Sequence, residues 1–169
     1  MPVVHAPART ESRARLARRV RRFVGCFYLT MAGINAGIVF ADAGSYRHFA
    51  DASYLPFVTR MWQDVVMAHP AVWGLLLAGG EIVLGTLLLH GGRAAQAGWL
   101  GVIAFHLLLM TFGFGIWLWS VPVLALLIPA AHADWPALTR VSREGRRAEQ
   151  AGQGNVAPAF PRPGYDEAS

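Results

Sequence analysis

The chain has 169 residues, 54% hydrophobic and only 15% charged, where an ordinary soluble domain carries about 25% charged residues. Its formal net charge of +5 is built from arginine alone, since none of the fifteen basic residues is lysine. The single cysteine, Cys26, excludes an internal disulfide and any Cys-x-x-Cys redox or zinc motif.

Residues 1–22 form a basic arm with seven arginines against one acid, Glu11. Such an arm beside an apolar run reads as a topology signal, carried nearest the membrane by Arg18, Arg19, Arg21 and Arg22, and no nucleic-acid partner is expected. The first apolar run, 23–40, is long enough to cross a bilayer. Cys26 at its start reads as a small packing residue. The pair Gly33-x-x-x-Gly37 reads as a helix-packing face. Val39-Phe40-Ala41 has the form of a signal-peptide cleavage site. The basic region and apolar core both exceed those of a signal peptide, so the run is expected to stay uncleaved.

The loop 41–70 is expected on the outer side. Within it Tyr54, Leu55, Val58, Met61, Trp62, Val65 and Val66 recur at helical spacing, with Thr59, Arg60, Gln63 and Asp64 opposite. This predicts a short amphipathic helix, capped by Ser53 and with Pro56 in its first turn, lying on the membrane or over the bundle mouth.

A second span covers 71–89. The run from 97 to 131 is too long for one crossing and must turn, with Phe112-Gly113-Phe114-Gly115 as the reversal. That gives helices over 97–112 and 116–131. The expected fold class is all-α: an integral membrane four-helix bundle over 23–135, followed by a largely disordered cytoplasmic tail over 136–169. Arg93 falls in the turn between helices two and three, and Arg140, Arg143, Arg146 and Arg147 follow helix four. With the basic arm they share one side, which places both termini in the cytoplasm. Trp73, Trp117 and Trp119 are expected at the outer interface, Trp99 and Trp135 at the inner one.

Glu81 is the only ionisable residue in its span, and an ionised group at that depth costs roughly 2.5–3.5 kcal/mol even on the lenient insertion scale. Helical spacing puts Gly74, Ala78, Glu81 and Gly85 on one face, whose small residues suit close helix approach. Counting from Arg93 places Glu81 and His106 at similar depth, so a Glu81–His106 pair is expected, with Asn35 completing a polar cluster. The cluster reads either as a proton-linked or ligand-binding site or as a structural staple. Haem ligation by two histidines is disfavoured because only His106 is mid-span, while His90 and His132 lie near the inner boundary. His48 and His69, near Asp42 and Asp51, lack recognisable metal-ligand spacing, so no metal site is expected. No nucleophile elbow, phosphate loop or dinucleotide motif assigns a catalytic residue.

The sequence Gly80-Glu81-Ile82-Val83-Leu84-Gly85-Thr86-Leu87-Leu88-Leu89, its turn His90-Gly91-Gly92-Arg93, and the stretch from Ala104-Phe105-His106 to Phe112-Gly113-Phe114-Gly115 resemble the DoxX-like family of small bacterial membrane proteins. The resemblance covers about residues 23–135 and carries over Glu81, Gly85 and Arg93. It implies an accessory or quinone-associated subunit of a membrane redox system in the bacterial cell membrane, non-catalytic in itself, with an oxidoreductase subunit as partner and quinone as the cofactor. The lack of a cysteine pair speaks against thiol chemistry by this chain. The alternatives are a proton-coupled transporter or permeation unit acting as a homo-oligomer, and an assembly factor in which Glu81 is a staple.

Overall fold

The computed structural model describes residues 7–154, with side chains at 12 and from 14 to 144. Among these the chain is all-helical. Helix α1 spans Pro7–Asp42, α2 Pro56–Met61, α3 Pro70–His90, α4 Gly92–Leu109 and α5 Phe114–Gly154. Tighter turns run over Ala43–His48 and Met110–Phe112, and a π turn over Trp62–Val66 continues α2. Four stretches are long and apolar enough to cross a membrane: Ala14–His48, Pro70–His90, Gly92–Phe112 and Phe114–Glu144. They pack in a ring, α1 on α3, α3 on α4, α4 on α5 and α5 back on α1.

Two glycine turns set this order. Gly91 and Gly92 take φ of 85° and 56° between α3 and α4, and Gly113 takes 124° between α4 and α5. Side chains adopt these angles at a cost that glycine avoids. At Gly113 a Cβ would also run into the Ala52 carbonyl, so the loop packs directly on this turn. Ser53 fixes that contact by donating to the Thr111 carbonyl at 2.7 Å, and Tyr54 by donating to Met110 at 2.9 Å. Ser53 is therefore not the cap of α2. The cap position is Leu55, which makes no side-chain bond there.

The helices overrun the expected bounds. The first is continuous from Pro7 through most of the basic arm, because Ala17, Arg21, Val24 and Tyr28 fall at three- and four-residue spacing and are buried. The last continues to Gly154 because Leu124, Leu127, Ala131, Asp134 and Leu138 keep the same spacing beyond the apolar run. Residues 1–6 of the arm and 155–169 of the tail lie outside the described residues. Arg93 sits in the first turn of α4 and not in the connection. Pro122, Pro129 and Pro136 interrupt the hydrogen bonding of α5 at seven-residue intervals, all on its exposed face.

Helices α1 and α3 approach most closely at Gly25 and Gly85. A Cβ on Gly85 would lie 2.8 Å from the Gly25 carbonyl oxygen, and one on Gly25 would lie 2.9 Å from Leu89 Cγ. Gly33 and Gly37 were expected to make such a contact and do not: both are exposed, and a Cβ on either meets nothing within 4 Å. The two positions lie on the side of α1 turned away from α3. Cys26 is likewise exposed and is no packing residue.

The two ends of the bundle are built differently. At the basic end, which carries the arginine arm and the α3–α4 turn, Val24, Leu88, Trp99, Val102, Leu127 and Leu138 form a continuous core. Trp99, expected at a membrane interface, is fully buried here. Its indole donates to Asp134 Oδ2 at 3.2 Å, and Arg21 Nε lies 2.8 Å from the same oxygen. Arg21 Nη1 also donates to the Leu88 carbonyl. One buried ion pair thus joins α1, α3, α4 and α5. The other end, bounded by the 43–69 loop and the α4–α5 turn, is hollow.

Candidate functional site

The hollow end holds a cavity of about 820 Å³. Its position follows from the sequence of each wall. Helix α3 buries Gly74, Ala78, Glu81, Gly85 and Leu88 along one stripe. Helix α4 turns Phe105, His106 and Leu109 inward, and α1 contributes Phe27, Tyr28, Met31 and Asn35. The loop closes the end with Tyr46, Phe49, Trp62 and Val66. The π turn begins at Trp62, whose ring packs against Phe49 and Phe112 at 5.3 and 5.2 Å and whose indole donates to the Tyr46 carbonyl at 3.0 Å. Nine of the twenty lining residues are aromatic, Trp73 and Trp119 among them. Leu76 and Leu108 line the cavity and are also 59% and 62% exposed, so it reaches the outer surface between α3 and α4.

Polar atoms enter this apolar space in two groups. In the first, Asn35 Nδ2 donates to both carboxylate oxygens of Glu81, at 3.0 and 2.8 Å. Tyr46 donates its hydroxyl to Asn35 Oδ1 at 2.8 Å. In the second, His106 Nδ1 lies 2.9 Å from the Val102 carbonyl oxygen and 3.2 Å from the Tyr28 hydroxyl. A carbonyl only accepts, so the Val102 bond puts a ring proton on Nδ1, and in the neutral form of the ring Nε2 is then the acceptor. Glu81, Asn35, His106 and Tyr28 are all buried.

Asn35, Glu81 and His106 therefore line one cavity, but the expected Glu81–His106 bond is absent among the described residues. Glu81 is satisfied instead by Asn35 of α1, and His106 by the Val102 carbonyl of its own helix, with the Tyr28 hydroxyl beside the same nitrogen. The reason is geometric. The ring order of the bundle makes α1 the tightest neighbour of α3, which brings Asn35 to Glu81. Tyr28 and Tyr46 were not anticipated. Tyr28 lies seven residues before Asn35, a spacing that returns to the same face, and this was the available signal. Nothing local marks Tyr46, which reaches the site only through the turn after α1.

The other described histidines stand apart. His48 pairs with Asp51 at 2.7 Å on the exposed loop, and exposed His90 lies 3.3 Å from the Thr86 carbonyl. Among the described residues no three His, Cys, Asp or Glu side chains come together as a metal set.

Four apolar helices around a partly open internal cavity define a multi-pass helical membrane protein. No family model matches the chain, and no curated protein or solved structure matches it.

Proposed function

We propose that this is a DoxX-like membrane protein that holds a quinone-class ligand in the cavity between α1, α3 and α4, as an accessory subunit of a membrane redox system. The observation that carries the reading is the cavity itself. Its volume falls within the roughly 300–1,000 Å³ of small-molecule sites, and its walls combine aromatic surface with a few convergent polar atoms. A quinone has the matching chemistry: a flat apolar ring, two oxygens at its edge, and solubility in the bilayer. Glu81 and His106 Nε2 offer acceptors for quinol hydroxyls, and protonated Glu81 would donate to a quinone oxygen. The exposed Leu76 and Leu108 edge supplies an approach from lipid.

In this reading the arginine distribution places both termini in the cytoplasm and the 43–69 loop outside, over the cavity mouth. The membrane is a bacterial cell membrane, and an oxidoreductase subunit is the partner. A permeation unit is the weaker reading, because Leu88, Trp99, Val102 and Leu127 fill the basic end of the bundle.

Solvent extraction and mass spectrometry of protein purified in mild detergent test the proposal. Co-purified quinone near one per chain is expected. Glu81→Gln should lower that occupancy without changing the elution volume or the melting temperature. Wild-type protein devoid of quinone, from membranes that contain it, would sink the reading. Unchanged occupancy in the variant would remove Glu81 from the site.

A further inference from the structure

We infer that the same cavity is also a binding site for lipophilic organic cations, with the Glu81 carboxylate as counter-ion and the aromatic walls as cage. This goes beyond the quinone reading and does not rest on it.

The inference begins with an imbalance of charge. Among the described residues, Glu81 is the only formally charged side chain that lines the cavity, and no Arg lines it. Its two hydrogen bonds come from Asn35, an amide that satisfies lone pairs but carries no charge. The buried Arg21 is engaged at the opposite end by Asp134. An ionised Glu81 is therefore hydrogen-bonded and electrostatically uncompensated, in surroundings where desolvation makes a missing counter-charge costly.

The walls favour one way of compensating it. Ring faces attract cations through their quadrupole, more strongly where water is excluded. Phe49, Trp62 and Phe112 form a contiguous aromatic cluster at the loop-covered end, with centroid separations of 4.9 to 5.3 Å. Phe105 and Tyr28 form a second pair at 6.0 Å farther in. A small inorganic cation gains little here, because hydrated ions need several oxygen ligands and the site offers one carboxylate. A delocalised or alkylated monovalent cation is different: it sheds water cheaply, fills apolar volume and delivers one positive charge. The approach past Leu76 and Leu108 also suits a ligand that partitions into lipid.

The test compares binding of tetraphenylphosphonium with that of neutral triphenylphosphine oxide to the purified full-length protein in detergent. Saturable binding with preference for the cation is expected. Glu81→Gln should weaken cation binding about thirtyfold or more, the loss typical of removing one partner of a buried charge pair, with little effect on the neutral compound. Glu81→Asp keeps the charge and should retain most of the affinity. Trp62→Ala should weaken the cation more than the oxide, and it keeps the test usable if Glu81→Gln does not fold. Equal affinity for cation and oxide, or undiminished cation binding in Glu81→Gln, would overturn the inference. Quinone measured in the same preparations separates the two readings: bound quinone without cation preference refutes this one alone, and cation preference without quinone refutes the other alone.

Discussion

Asp134 and Arg21 face each other where no water reaches, and Asp134 is 0% exposed. A buried pair of this kind gives little over a well-packed apolar replacement, but loss of one member strands the other. Asp134→Asn or Arg21→Ala should therefore lower stability by roughly 3–5 kcal/mol, and the double change to leucine should recover much of that loss. Thermal unfolding followed by size-exclusion chromatography reads both effects; an additive double variant would contradict the pairing. Among the described residues Asp134 Oδ1 has no hydrogen-bond partner, so Oδ2 carries both polar contacts of this carboxylate. This pair was invisible in the sequence for a physical reason. Arg21 is one of many arginines in an amphipathic stretch, and Asp134 falls just past the apolar run, where a charge is commonplace. Glu81 was legible because it stands alone among apolar residues, where the energetic anomaly is local. Asn35 was legible as a member of the same cluster, but not as the direct partner in place of His106, because the helix order that delivers it is a property of the bundle.

At the scale of helices, the α1–α3 crossing decides what the cavity can be. Gly85→Val places side-chain atoms against the Gly25 carbonyl, a backbone atom that cannot rotate away. Overpacking costs typically about 1–3 kcal/mol, and here the two helices that carry Asn35 and Glu81 must separate to relieve it. Gly33→Ala and Gly37→Ala meet open space. They should be neutral or stabilising, by up to about 0.5–1 kcal/mol each, through helix propensity. Melting temperatures of the three variants check the contrast, and a Gly33→Ala variant as unstable as Gly85→Val would show that α1 packs elsewhere. A small-xxx-small pattern reports only that a face is smooth, and a neighbour decides whether smoothness is used. Helix existence was legible from length and apolarity. Helix ends were not, since α1 and α5 remain helical where charge rises, held by mutual burial of Ala17, Val24, Ala131 and Leu138.

The whole molecule is a half-filled bundle. Substitution should reveal the asymmetry directly. Leu127→Ala removes a side chain from the closed core and should cost roughly 2–5 kcal/mol. Leu77→Ala, on a wall that already faces empty volume, should cost clearly less. Chemical unfolding in a defined micelle compares them, and equal losses would mean that the hollow end is packed in solution. Glu81 and His106 line the hollow part, beyond the sealed core of the basic end. Because the basic end is filled, a ligand that reaches Glu81 enters and leaves through the hollow half. For a chamber closed toward the basic end, arrivals and departures on the open side cancel at steady state, so thermal motion alone carries nothing through to the other end. Any directional flow of electrons or charge that involves this protein has to draw its bias from a second body whose own state changes while the chamber is occupied.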